Sequence, residues 1–316
     1  MWVLTEGAYC EGSQVVKKRQ MLERVIVGVA VLFMRIIACL PLRGIQALGN
    51  GVGRLMVLLN LRPAQITRIN LSLCFPERSA QEIATMTRQS MQETAKTMLE
   101  FGYVWFRDKE TVLGKVQEVE GEEWVTRARE EGKGILFLGP HHGNWEVTGL
   151  YLASRYAMAS MFRPPKMKEF ERVITQARSR TSAELVPTSQ RGVARMLALL
   201  KQGGVVGILP DQVPAPASAE FAPFFGEPAH TMTLVSRLIQ KTQPAVLVAC
   251  ALRLPRGEGY RIVIRKADEA VTSPDLVTSL TGVNRSVEQS VREAVTQYQW
   301  EYKRFRRRLP GQEKLY

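Results

Sequence analysis

His141 and Glu146 lie five residues apart where an apolar run, Gly134-Ile135-Leu136-Phe137-Leu138-Gly139, gives way to Gly143-Asn144-Trp145. The run reads as a short buried strand, Pro140 and the glycines as a turn, and Trp145 onward as a helix start. In a parallel α/β sheet, ligands bind beyond the C-terminal ends of strands, so His141 is expected to project into a crevice. Glu146 falls in the first helical turn, where the dipole favours a carboxylate. From there it is expected to reach back to the imidazole, fix its tautomer and stabilise the imidazolium. No serine or cysteine nucleophile accompanies the pair. Such a pair suits a reaction in which the substrate supplies the hydroxyl. His142 leaves open which histidine is the base, and spacing favours His141.

Two further strand ends carry charge. Arg163 follows the short strand Ala157–Phe162 and precedes Pro164-Pro165. It reads either as a solvated loop charge or as a guanidinium facing the His141 crevice, stabilising a tetrahedral oxyanion or binding a phosphate. Asp211 and Gln212 follow the apolar strand Val205–Leu209. The aspartate either caps the next turn or orders Arg163 or the acceptor.

The His-x4-Glu spacing after an apolar strand resembles the signature of glycerolipid-type acyltransferases. With Gly143-Asn144-Trp145 inside it, the stretch is similar to the bacterial lipid A late acyltransferases, the lauroyl/myristoyl transferase family. Phe162-Arg163-Pro164, Leu209-Pro210-Asp211-Gln212, Gln297-Tyr298-Gln299-Trp300 and Lys303-Arg304-Phe305 resemble further blocks of that family, in order. Asn70-Leu71 and Cys74-Phe75-Pro76-Glu77 extend the likeness toward the start. The resemblance implies an α/β fold: a mixed, largely parallel sheet flanked by helices, with an N-terminal membrane-associated helical segment. It implies O-acyl transfer with His141, Glu146 and Arg163 catalytic, and with Asn144, Asp211, Gln212 and Arg304 binding substrate. No metal or organic cofactor is required. The donor implied is an acyl carrier protein thioester and the acceptor a lipid A precursor, on the cytoplasmic face of a bacterial inner membrane. Another membrane lipid is the alternative acceptor. Val295-Thr296 departs from the family's usual Pro-Glu, and His142 stands where an aromatic is common.

Composition bounds these readings. A chain of 316 residues, 45% hydrophobic, can bury a sizeable core. The net charge of +13 predicts an acidic partner: nucleic acid, an anionic membrane surface, or an acidic carrier or lipid. Cys10, Cys39, Cys74 and Cys250 show no paired spacing, so neither a zinc site nor a disulfide framework is supported. A metallohydrolase built on His141, His142 and Glu146 lacks the H-E-x-x-H spacing, and only His230 remains as a third nitrogen ligand. A nucleic-acid module would explain the charge but lacks a reader motif.

Residues 1–62 are expected to form a leader, a membrane anchor and an amphipathic helix, and residues 63–316 the catalytic domain. Val25 to Met34 is apolar, Arg35 interrupts, and Ile36 resumes to Leu42. The run sits at the lower limit of a spanning helix. An anchor or interfacial helix, a core helix, and a lipoprotein signal ending at Cys39 all compete; Arg35 weakens the signal. Ile45, Leu48, Val52, Leu55, Met56 and Leu59 then recur at helical spacing beside Arg43, Arg54 and Arg62, as in a helix lying on a membrane. Gly49, Gly51 and Gly53 there suit helix packing better than a nucleotide loop.

Further along, Ser79 is expected to cap a helix reaching about Phe101. Residues 166–181 form a basic helix, either a solvated face or a patch for an acidic partner. Val213 to Pro228 has no period and reads as a lid or binding loop, in which Phe221, Phe224 and Phe225 either line an acyl channel or pack down. His230 is expected to open a helix. Val246–Leu252 and Tyr260–Ile264 read as a hairpin-like pair. A final helix from Val287 would place Val291, Ala294, Tyr298, Tyr302 and Phe305 on one stripe and end in basic residues.

Overall fold

A computed structural model describes residues 6–162, 167–178, 180 and 183–316, with side chains from Met21 onward except Lys168. The chain opens with helices α1 (Glu6–Cys39), α2 (Leu42–Leu58), α3 (Arg62–Cys74), α4 (Ala80–Phe106) and α5 (Lys109–Leu113). Strands and helices then alternate: β1 (Val116–Glu120), α6 (Glu122–Glu130), β2 (Ile135–Leu138), α7 (Trp145–Arg155), β3 (Met158–Phe162), α8 (Lys168–Arg178), β4 (Glu184–Pro187), α9 (Gln190–Lys201) and β5 (Val205–Ile208). There follow β6 (Ala219–Phe224), β7 (Glu227–Met232), α10 (Thr233–Thr242), β8 (Ala245–Arg253), β9 (Tyr260–Lys266) and α11 (Leu276–Glu293).

Seven strands form one sheet in the order β1-β9-β8-β2-β5-β3-β4. Its pairs are parallel except β8–β9, so the sheet is mixed and largely parallel, as expected. Period-two alternation sends Ile135 and Phe137 to one face and Leu136 and Leu138 to the other. The first pair meets Val147 and Tyr151 of α7 and Ile262 and Ile264 of β9. The second meets Met196 of α9, Val235 and Leu238 of α10, and Val283 of α11. All four side chains of β2 are buried, which is why its sequence shows no polar alternation.

Ser79 caps α4 with a complete capping box. It accepts from the Glu82 backbone N–H while Glu82 accepts from the Ser79 N–H at 2.9 Å. α1 and α2 pack on α4. The glycines of α2 permit this approach: a Cβ at Gly53 would lie 2.4 Å from Gln92 Cα, and one at Gly49 would lie 2.9 Å from Lys96 Cα. Among the described residues, no helix is long and apolar enough to cross a membrane. α1 buries Val27 and Ile37 yet exposes Leu22, Val25, Val29, Leu32, Phe33 and Ile36. Residues 1–20, with Cys10 among them, lie outside the side chains described.

Three expectations are corrected. The stretch 213–228 is not an aperiodic loop, because β6 and β7 form an antiparallel hairpin with Pro223 opposite Pro228. Its two-residue turn, Phe225-Gly226, takes positive φ at both positions, and prolines inside the run hid the strands. His230 therefore lies on β7, ahead of α10, instead of opening a helix. Finally, α11 begins at Leu276 and stops at Glu293, so Tyr298, Tyr302 and Phe305 share no helical stripe. Beyond it the backbone turns back toward the sheet. Tyr298, Trp300 and Phe305 pack in one aromatic cluster with Phe75 and Phe224.

Candidate active site

β2 and β5 are adjacent, parallel and in register, with Leu138 opposite Ile208. A further bond, Gly139 N–H to Ile208 O at 2.9 Å, extends the ladder by one residue. Pro140 and Pro210, lacking N–H groups, then release both chains at the same level. The next residues, His141 and Asp211, emerge side by side. His141 Nδ1 lies 2.8 Å from Asp211 Oδ1, and the His141 backbone N–H donates to Asp211 Oδ2, also at 2.8 Å.

The carboxylate on His141 is thus that of Asp211. The bond expected from Glu146 is not made. Glu146 does sit in the first turn of α7, nearly buried, but its oxygens accept from Trp105 Nε1 at 3.0 Å and from the Arg178 guanidinium. A helix-start carboxylate five residues on is turned toward α4 and α8, while Trp145 sets its ring edge-on to the imidazole at 4.9 Å between centroids. Asp211 gives one oxygen to the His141 ring and the other to the His141 backbone N–H. Burial alone would raise its carboxyl, but the charge and hydrogen bonds of His141 outweigh that and hold it below the ordinary carboxylate range.

With an ionised Asp211 on Nδ1, the neutral His141 ring carries its proton there and a lone pair on Nε2. Gln212 Nε2 meets that lone pair at 3.1 Å and contacts Gln299 Oε1, also at 3.1 Å. His142 is different. Its ring is fully buried, held by Ser290 Oγ at 3.1 Å and the Ala294 carbonyl at 3.0 Å, and burial pushes its pKa down to about 4. It is a neutral packing residue, which leaves His141 as the accessible base.

The loop carrying His141 is stitched on two sides. Gly143 N–H donates to Gln297 O and Asn144 N–H to Ala251 O, while Gln299 N–H donates to His141 O. Gly143 adopts φ +63, and a Cβ there would meet Ala251 O at 2.1 Å, so only glycine fits. Asn144 is consumed by the fold. It is fully buried, caps α7 through Val147 N–H and donates to Glu100 Oε2 at 2.8 Å. Glu100 in turn binds Gln46 of α2 and Arg253 at the end of β8. Arg304 is likewise buried. It clamps the β7 backbone at His230 O and binds Thr231 and Asn284. Arg163 lies outside the described residues.

Gln299 and Glu301 were not singled out from the sequence as site residues. Their run was legible as a motif, but helical periodicity misplaced it. With Met98, Phe101, Trp145 and others they line a small cavity of about 50 Å³ beside His141. A cavity of about 530 Å³, lined in part by Trp124, Arg127, Lys133, Lys266 and Asp268, lies at the opposite end of the sheet. The strand C-terminal end, where His141 and Asp211 meet, is the better candidate because ligands of parallel sheets gather there. Among the described residues, no group of three or more His, Cys, Asp or Glu is placed to hold a metal ion.

A histidine oriented by an aspartate, with its second nitrogen met only by a displaceable amide, can take a proton from a hydroxyl and return it to a leaving group. The family of bacterial lipid A biosynthesis acyltransferases matches residues 13–307. The lipid A biosynthesis lauroyltransferase of Escherichia coli strain K12 is 28% identical over 285 residues, covering 90% of this chain and 92% of its own. The palmitoleoyltransferase of the same strain is 28% identical, covering 88% and 90%, and the myristoyltransferase 26%, covering 77% and 75%. The chain is an acyltransferase and belongs to the bacterial lipid A biosynthesis acyltransferase family.

Proposed function

We propose that the protein moves a fatty acyl chain from an acyl carrier protein thioester to a hydroxyl of a lipid A precursor, at the cytoplasmic face of a bacterial inner membrane. The observation that carries the chemistry is the His141–Asp211 pair, whose second ring nitrogen meets an amide and, among the described residues, no protein nucleophile. An acceptor hydroxyl replacing that amide gives its proton to Nε2 as its oxygen attacks the thioester carbonyl. Asp211 steadies the imidazolium. Collapse of the tetrahedral intermediate breaks the C–S bond, and Nε2–H protonates the leaving thiolate. Arg163, on the strength of the family likeness, and backbone N–H groups are assigned to the oxyanion. Glu146 acts through its pairing with Arg178 instead of touching the ring.

The exposed apolar faces of α1 and α2, with Leu48, Val52, Leu55 and Leu58 on the latter, support seating on a membrane surface without a spanning helix. The charge of +13 suits an anionic membrane, an acidic carrier protein and a phosphorylated acceptor alike. The test is direct. Purified protein supplied with an acyl carrier protein thioester and a lipid A precursor should release one thiol per ester formed, and His141→Ala should abolish both. Lipid A from cells lacking the gene should be lighter by one acyl chain. Unaltered lipid A would shift the acceptor to another membrane lipid.

A further inference from the structure

The nitrogen that must take the acceptor's proton already has a partner. Asp211 draws the ring proton to Nδ1, so Gln212 donates one N–H to Nε2 and its other to Gln299 Oε1. Glu301 lines the same small cavity as Gln299 and accepts from Thr94 Oγ1 at 2.9 Å. The Gln212 amide is therefore oriented by two acceptors, the imidazole nitrogen on one side and the Gln299 oxygen on the other.

We propose that Gln212 is a latch on the base, held in orientation by Gln299, that keeps water from using His141 while a thioester is bound. This rests on the acyl-transfer reading above. Hydrolysis and transfer share one path: an O–H proton passes to Nε2, the oxygen bonds to the carbonyl carbon, the C–S bond breaks and the thiolate recovers the proton. They differ only in which hydroxyl reaches Nε2. Either one must displace the Gln212 hydrogen bond. A lipid acceptor offsets that cost with the binding energy of its remote parts, and water has none to offer. Once Nε2 is protonated, it and the Gln212 N–H are both donors, so the amide stays turned away until the thiolate is protonated.

The experiment uses the purified full chain, an acyl carrier protein thioester, and a lipid A precursor present or absent. Thiol release and ester formation are both followed. Gln212→Ala should raise the ratio of hydrolysis to transfer about tenfold, the worth of one hydrogen bond no longer to be displaced. Gln299→Leu should move the ratio the same way by less, since it removes the second acceptor of the Gln212 amide but keeps the amide itself. An unaltered ratio, or both rates falling together, overturns the latch and leaves Gln212 a packing or binding residue. If Gln212→Ala does not fold by circular dichroism, the Gln299→Leu ratio decides. A wild-type protein that transfers nothing from the thioester sinks the acyl-transfer reading itself, whereas active wild type with an unmoved ratio sinks only the latch.

Discussion

His141 and Asp211 each stand three residues beyond Leu138 and Ile208, which face one another across neighbouring parallel strands. Equal offsets from an in-register pair, each passing through a proline, bring imidazole and carboxylate to 2.8 Å. The dyad is thus a product of sheet register.

That origin makes Asp211→Asn an informative change. It preserves shape but removes the charge that draws the proton to Nδ1, leaving a wrong tautomer favoured. Transfer should fall by about 10³- to 10⁴-fold, as when an orienting aspartate is neutralised in a triad. A loss under tenfold would remove Asp211 from the mechanism.

Glu146→Gln should cost less activity than Asp211→Asn, because Glu146 touches Arg178 and Trp105 and not the base. A double-mutant cycle with Arg178→Met should show stability coupling of about 1–3 kcal/mol between these neighbours. Inactivation as complete as that of His141→Ala would return Glu146 to the orienting role its spacing suggests.

Acid should destabilise the fold through His142. In the unfolded chain this ring protonates near 6.5, whereas burial delays protonation in the fold to about 4. Between those values the unfolded state binds the extra proton, so stability falls as pH drops through the window, by about 3 kcal/mol when complete. Above 6.5 both states are neutral and the effect vanishes. Asp211, held low, adds stability above the unfolded carboxylate range that is lost as pH falls through its depressed folded value. Denaturant titrations of wild type and His142→Gln across the window check this: the variant's curve should be flatter.

Glu100 joins α2, α7 and β8 through Gln46, Asn144 and Arg253. Glu100→Leu leaves the Arg253 guanidinium buried with its principal partner gone and should destabilise by about 3–5 kcal/mol, read from chemical unfolding. Gly53→Ala, forcing a methyl into the α4 backbone, should cost about 1–3 kcal/mol by the same measurement.

Membrane seating is tested on the exposed face of α1. Val29→Asn with Phe33→Asn should weaken binding to anionic vesicles by tenfold or more, since full burial of each apolar side chain contributes about 1.5–3 kcal/mol. Binding that survives unchanged would place the contact elsewhere.

Local pattern in the chain was enough for its β2 strand, the Ser79 capping box, the strand-end position of His141, and the glycine seam of α2, because each depends on residues a few positions apart. The motif order likewise carried the family. Which carboxylate meets the imidazole was decided only by the tertiary structure: Glu146 is near in sequence but faces Arg178, while Asp211, seventy residues on, is delivered by the β2–β5 register. The same holds for Gln299 and Glu301. Helical spacing around Tyr298 and Tyr302 is real in the sequence, but aromatic packing against Phe224 and backbone bonds to the His141 loop outweigh it and draw the strap to the base. Short-range periodicity reports how a segment buries its own apolar face; it says nothing of which distant strand end that face is brought against.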